Sequence, residues 1–128
     1  MELYDITRRI TPALAGWPGD TRYSAKRVLD IAGGDSVNVS ALTFSSHLGT
    51  HEDAPAHFLP DGETIDRLPL EPFLGPALVA DFSDVDGALT PAHLARLKLE
   101  GIRRLLIRTR CSELPDAVWP ERIVYPTA

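Results

Sequence analysis

The chain has 128 residues and a mass of 14.0 kDa, enough for one domain that buries roughly two thirds of its unfolded surface, and too little for a two-domain enzyme. A composition of 44% hydrophobic and 24% charged residues excludes a disordered or fibrous chain. Thirteen Lys+Arg against eighteen Asp+Glu give a net charge of -5, which leaves no basic footprint for nucleic acid or for an anionic lipid surface.

In chain order, Leu3 to Ile6 predicts a first strand, and Thr11 to Asp20 a loop whose Pro12 and Pro18 forbid a helix, with Trp17 at its tip. A second strand is expected over Arg22 to Ile31, a turn at Gly33-Gly34-Asp35, and a third strand over Ser36 to Phe44. Alternation at Val37, Val39 and Ala41 gives that third strand one buried face. Pro76 to Phe82 has the continuous apolarity of a central strand. Thr90-Pro91 opens a helix that Gly101 should end, with His93 as an exposed residue of its first turn. Ile102 to Thr109 reads as another buried strand. A strand, helix, strand run predicts parallel pairing and an α/β fold of mixed α+β layers. The whole of 1–128 reads as a single domain without repeats or a linker.

The lone cysteine, Cys111, excludes an internal disulfide and a Cys-based zinc cluster, fits a reducing compartment, and is expected to be an inert small hydrophobe. The start Met1-Glu2-Leu3-Tyr4-Asp5 is acidic where a signal peptide is basic, and no apolar run approaches bilayer length. A cytoplasmic protein without a membrane partner is expected.

Chemistry concentrates between Ser46 and Phe58, where the sequence Ser-His-Leu-Gly-Thr-His-Glu-Asp-Ala-Pro-Ala-His-Phe holds three of the chain's four histidines. Two imidazoles and a carboxylate, from His47, His51 and Asp53, make the ligand set of a catalytic divalent metal that keeps a position open for water. Gly49, Pro55 and Pro60 argue against a helix here. In an extended run His51, Asp53 and His57 share one side, and a turn at Gly49 folds His47 back beside them. Glu52, of opposite parity, is expected to face solvent or stand behind a ligand. Trp17 is equally a lid over the core or a ring that stacks on a substrate.

The run His47-Leu48-Gly49-Thr50-His51-Glu52-Asp53-Ala54-Pro55-Ala56-His57 resembles the H-x-G-T-H-x-D-x-P-x-H signature of the cyclase family of metal-dependent hydrolases, which includes bacterial kynurenine formamidases and isatin hydrolases. The resemblance extends through Leu3-Tyr4-Asp5-Ile6, Trp17-Pro18-Gly19-Asp20, Asp61-Gly62-Glu63-Thr64-Ile65, Leu68-Pro69-Leu70 and Gly75-Pro76. It implies a swivelling β/β/α fold, a homodimer or higher homo-oligomer, and a site for two divalent metals, zinc or manganese. By residue it implies His47, His51 and Asp53 as metal ligands, His57 as the catalytic acid/base, and Trp17 as part of the substrate pocket. It further implies a C-terminally truncated chain, since a His and a Glu beyond Ala128 complete the metal site in this family. The implied reaction is hydrolysis of a small aryl amide, N-formylkynurenine first and a cyclic amide such as isatin as the alternative. Two other readings compete: a two-His-one-carboxylate iron oxygenase, which shares the ligand types, and a non-catalytic chain that binds metal or a partner.

Overall fold

The computed structural model describes residues 2–127; Met1 and Ala128, the ends of the expected 1–128 domain, lie outside the described residues. Two compact units are present. One runs to Glu52 and takes in Asp116–Trp119; the other comprises Asp53–Pro115 and the chain from Pro120 onward. The mixed helix and strand content expected from the sequence is found.

In the first unit, β1 (Ser24–Leu29) and β2 (Val39–Thr43) form an antiparallel hairpin with Ser24 opposite Thr43 and a register shift between Arg27 and Leu29. The connection is tight because Asp30 caps a 3₁₀ turn, Ile31–Gly33, by accepting from the Ala32 N–H, and Gly34 closes it at φ 102°. A side chain at that φ is strained, so the Gly33-Gly34 turn read from the sequence has a backbone reason. The predicted buried face of β2 does not exist: all its residues are exposed, as is Val37. A two-stranded ribbon with no layer packed on it within its unit has no inside, whatever its alternation. Leu3 to Ile6 forms no strand either; its backbone joins no ladder among the described residues, and Leu3, Tyr4 and Ile6 are exposed.

The second unit realises the predicted parallel pair. β3 (Leu78–Asp81) lies beside β5 (Leu105–Arg108) with Leu78 opposite Leu105 and Asp81 opposite Arg108. A shorter parallel pair joins β4 (Ala88–Leu89) to β6 (Tyr125–Pro126). The core gathers where β3 ends: Ala80, Phe82, Val85 and Leu89 are buried, with Leu94, Leu97, Leu105, Ile107 and Val124 packed on them. Only one face of β3 is covered, and Val79 on the other is 63% exposed, so β3 is not the fully buried central strand that its apolar run predicts. The helix α1 starts at Thr90-Pro91 as expected but spans only Pro91–Leu94. His93 is half-buried rather than exposed: its Nδ1 accepts the Thr90 N–H at 3.0 Å and its ring meets Phe82 edge-on. That ring closes a capping box with Thr90, which fixes where the helix starts.

Asp81 is held down to about 2 by the Ser83 hydroxyl and N–H and by the Arg108 guanidinium, which also pairs with Glu113. A carboxylate depressed in the folded state stabilises above its unfolded value of 3.8, and that contribution disappears as pH falls towards 2. Thermal melting followed from pH 5 to pH 2 is therefore expected to fall, and Asp81→Asn to flatten the part of the curve below pH 4; an unchanged slope in the variant refutes this role.

Candidate metal centre

The segment that carries the candidate ligands is built on one buried leucine. Ser45 begins a turn closed by the Leu48 N–H on the Ser45 carbonyl at 3.1 Å, and Leu48 is 5% exposed. Its Cδ1 lies 3.4 Å from where a Gly16 Cβ would stand, and Leu14 Cδ2 lies 3.5 Å from the corresponding point on Gly49. Driving Leu48 inward leaves its neighbours His47 and Gly49 to turn the chain, and Gly49 does so at φ 74°, the left-handed region that favours glycine. Thr50 Oγ1 then accepts the Arg8 N–H at 2.9 Å and ties the segment to the N-terminal run.

The reversal at Gly49 predicted from the sequence brings the two imidazoles together. His47 Nδ1 and His51 Nε2 are 3.3 Å apart, the rings meet edge-on with centroids at 5.1 Å, and His51 Nδ1 is 3.0 Å from the Gly49 carbonyl oxygen. Within this run of seven residues, His47, His51 and Asp53 each offer a ligand atom, and these atoms lie within 4.8 Å of one another. A tetrahedral ion with bonds of roughly 2.0–2.2 Å separates its ligands by about 3.3–3.6 Å. The two imidazole nitrogens already have that spacing, so the donor set fits a divalent ion and could hold one. His47 is half-buried while His51 and Asp53 are exposed, which leaves a side open to solvent. Glu52 is exposed, as expected.

His57 stands apart from that donor group. The extended backbone expected as far as His57 ends at Ala54, where Pro55 starts a 3₁₀ turn, Pro55–His57, with the His57 N–H on the Ala54 carbonyl at 2.8 Å. The parity argument therefore holds for His51 and Asp53 and fails at His57, because proline at the first position of a turn fixes φ where a helical turn needs it. The exposed His57 ring packs edge-on against Phe58 with centroids at 4.3 Å.

Beside His47 the first unit contains a cavity of about 800 Å³, lined among others by Trp17, Trp119, Tyr23, Asp20, Ser45 and His47. Trp17 is 57% exposed and stacks edge-on against Trp119 at 5.4 Å, so its ring forms a wall of this cavity and is no part of a core. Trp119, Asp20 and Ser45 escape sequence reasoning. Trp119 is distant along the chain from Trp17, and the segment bearing it is returned by the Ala15 N–H on the Asp116 carbonyl at 2.8 Å and by an Arg8–Asp116 ion pair at 3.3 Å. Asp20 carried a signal, the Trp17-Pro18-Gly19-Asp20 run, but nothing local pairs it with Ser45.

The family described as "Putative cyclase" matches residues 4–125. The chain belongs to the cyclase family. It is 39% identical over 97% of its length to a kynurenine formamidase of Salinibacter ruber, and 38% identical over 89% to a kynurenine formamidase of Bacillus mycoides. Of those relatives it covers 59% and 56%, so the chain spans little more than half their length. A solved structure described as a potential metal-dependent hydrolase with cyclase activity superimposes with a TM-score of 0.74 at 26% identity, over 97% of this chain and 57% of that one. This cyclase-family fold is the one that the sequence signature implied.

Gly62 packs its backbone against the turn that carries His57. A Cβ there would lie 2.4 Å from the Pro55 carbonyl carbon and 2.5 Å from the Ala56 nitrogen, both backbone, at the point where the Ala56 N–H reaches the Glu63 carbonyl at 3.1 Å. Backbone that cannot give must move, at a cost of about 1–3 kcal/mol. Gly62→Ala is expected to lower the denaturation midpoint accordingly and to shift the NMR signals of His57; a variant as stable as the parent contradicts the close approach.

Proposed function

We propose that this chain is a metal-dependent amide hydrolase of the cyclase family, with N-formylkynurenine, cleaved to kynurenine and formate, as the substrate. The observation that carries the reading is the His47, His51 and Asp53 donor set held by the Leu48–Gly49 turn. The relatives' names support the reaction, the printed description of the 26% identical structure supports metal dependence, and the uninterrupted family match over 4–125 supports one cyclase-family domain.

His47, His51 and Asp53 would hold a divalent ion, with zinc favoured and manganese second on the mixed nitrogen and oxygen donors. When bound, that ion supplies Lewis acidity to the scissile carbonyl and lowers the pKa of water. The protein's own residues do the rest. Trp17 offers a flat apolar face to the aryl group, and Trp119 holds that face in place from its edge. His57 takes a proton at a ring nitrogen from the attacking water and returns it to the leaving amine.

Elemental analysis after loading with zinc tests the ligands: His51→Ala and Asp53→Ala are each expected to lose the metal, and full retention by either removes that residue from the site. His57→Asn is expected to keep the metal stoichiometry while N-formylkynurenine hydrolysis falls by about two to four orders of magnitude. Metal lost with activity makes His57 a ligand, and unchanged turnover takes it out of the mechanism.

Trp17→Ala is expected to raise KM for N-formylkynurenine with little change in melting temperature, because the ring is already exposed. A large fall in melting temperature with unchanged KM identifies the ring as structural instead.

A further inference from the structure

One hydroxyl joins the metal loop to the wall of the cavity. Ser45 Oγ donates a short hydrogen bond to Asp20 Oδ2, and the same oxygen accepts the His47 backbone N–H at 3.1 Å. Asp20 is anchored in turn: its N–H donates to the Trp17 carbonyl at 3.0 Å, and its Oδ1 accepts the Thr21 N–H at 2.6 Å. Asp20 and Ser45 are half-buried. The Ser45 hydroxyl bond, then the Thr21 N–H, and lastly the charge of His47 hold the Asp20 carboxyl below its ordinary range, so it is an anion at neutral pH and lies within the electrostatic reach of the imidazole.

We propose that Asp20 and Ser45 are positioning residues for the metal ligand His47. Asp20 aims the Ser45 hydroxyl so that its lone pair receives the His47 N–H, which fixes the backbone from which the imidazole projects. A serine oxygen alone in this role is a common local turn that rotates freely between partners; a carboxylate holding its proton removes that freedom. The carboxylate belongs to the Trp17-Pro18-Gly19-Asp20 loop, so the same bond sets the spacing between the ligand and the aromatic wall. Groups of this kind behind a metal ligand typically change metal affinity by about 10- to 100-fold. The inference rests on His47 being a ligand, as in the proposed function.

The test is a double-mutant cycle on zinc affinity, measured by competition with a chromophoric chelator, with circular dichroism to establish that each variant is folded. Ser45→Ala and Asp20→Ala are each expected to weaken zinc binding by about 10-fold or more, the double variant to bind no worse than the weaker single within about 3-fold, and Ser45→Thr, which restores the hydroxyl, to bind within about 3-fold of the parent. In the metal-free chain, hydrogen exchange at the His47 amide should accelerate in both alanine variants and return to the parent rate in Ser45→Thr. Should one alanine variant fail to fold, the other decides. Additive losses, or faster exchange with unchanged zinc affinity, overturn the positioning role while leaving His47 a ligand. A His47→Ala variant that binds zinc as the parent does, or a parent that takes up none, overturns the metal reading and this inference with it.

Discussion

Between Ser45 and His51 the chain places a leucine inside and a histidine on either side of the turn that follows. Among the described residues of the first unit, only Leu14 and Leu48 are buried, so the segment carrying His47 and His51 also supplies half of that unit's buried apolar side chains. Removing a leucine from water contributes roughly 1.5–3 kcal/mol, more than any single hydrogen bond in the loop. The apolar contact therefore decides where the backbone goes. The left-handed turn at Gly49 follows, where the chain reverses beside Leu14 and Ile10 at φ 74°. The pairing of His47 with His51 is its consequence.

The second unit uses the more usual device of a strand, helix, strand run packed on one face. Phe82 and Leu89, each 1% exposed, fix where β3 ends and where α1 begins, and Arg96 stacks on the Phe82 ring at 5.0 Å. Its ion pairs lie on the periphery: Asp86 receives Arg110 at 2.6 Å and Arg122 at 3.4 Å, all three about half exposed or more. Exposed pairs of this kind contribute little to stability. They fix the course of the chain across the segment that follows β5.

What the sequence made legible is what depends on neighbours along the chain. The clustering of His47, His51 and Asp53, the reversal at Gly49, the Thr90-Pro91 helix start and the parallel pairing of Leu78–Asp81 with Leu105–Arg108 all follow from spacing, turn chemistry or connection length. Burial was less legible. Alternation at Val37, Val39 and Ala41 states which side chains share a face but not whether anything covers it, and both faces of the ribbon are open. The α1 helix keeps its predicted start but ends at Leu94, well before Gly101, and the lean of His93 on Phe82 is a tertiary contact that no local pattern states. Trp119 beside Trp17 and Ser45 on Asp20 join positions far apart in sequence, and no local pattern pairs them.

This division bears on how a metal centre and its pocket are assembled. Donors drawn from one run of seven residues need little loop closure to meet, and closure entropy grows only slowly with length. The wall of the cavity is different, since Trp17 and Trp119 meet only after the chain has passed through Asp53–Pro115 of the second unit. The Ala15–Asp116 hydrogen bond and the Arg8–Asp116 ion pair mark where the chain returns, with polar groups at the surface rather than with apolar burial. A donor set fixed by a short turn tolerates change in distant sequence. A wall held by one backbone hydrogen bond, one exposed ion pair and one aromatic edge does not, so variation in what the site accepts is expected to arise in 116–119 and in the Trp17 loop before it arises among the ligands.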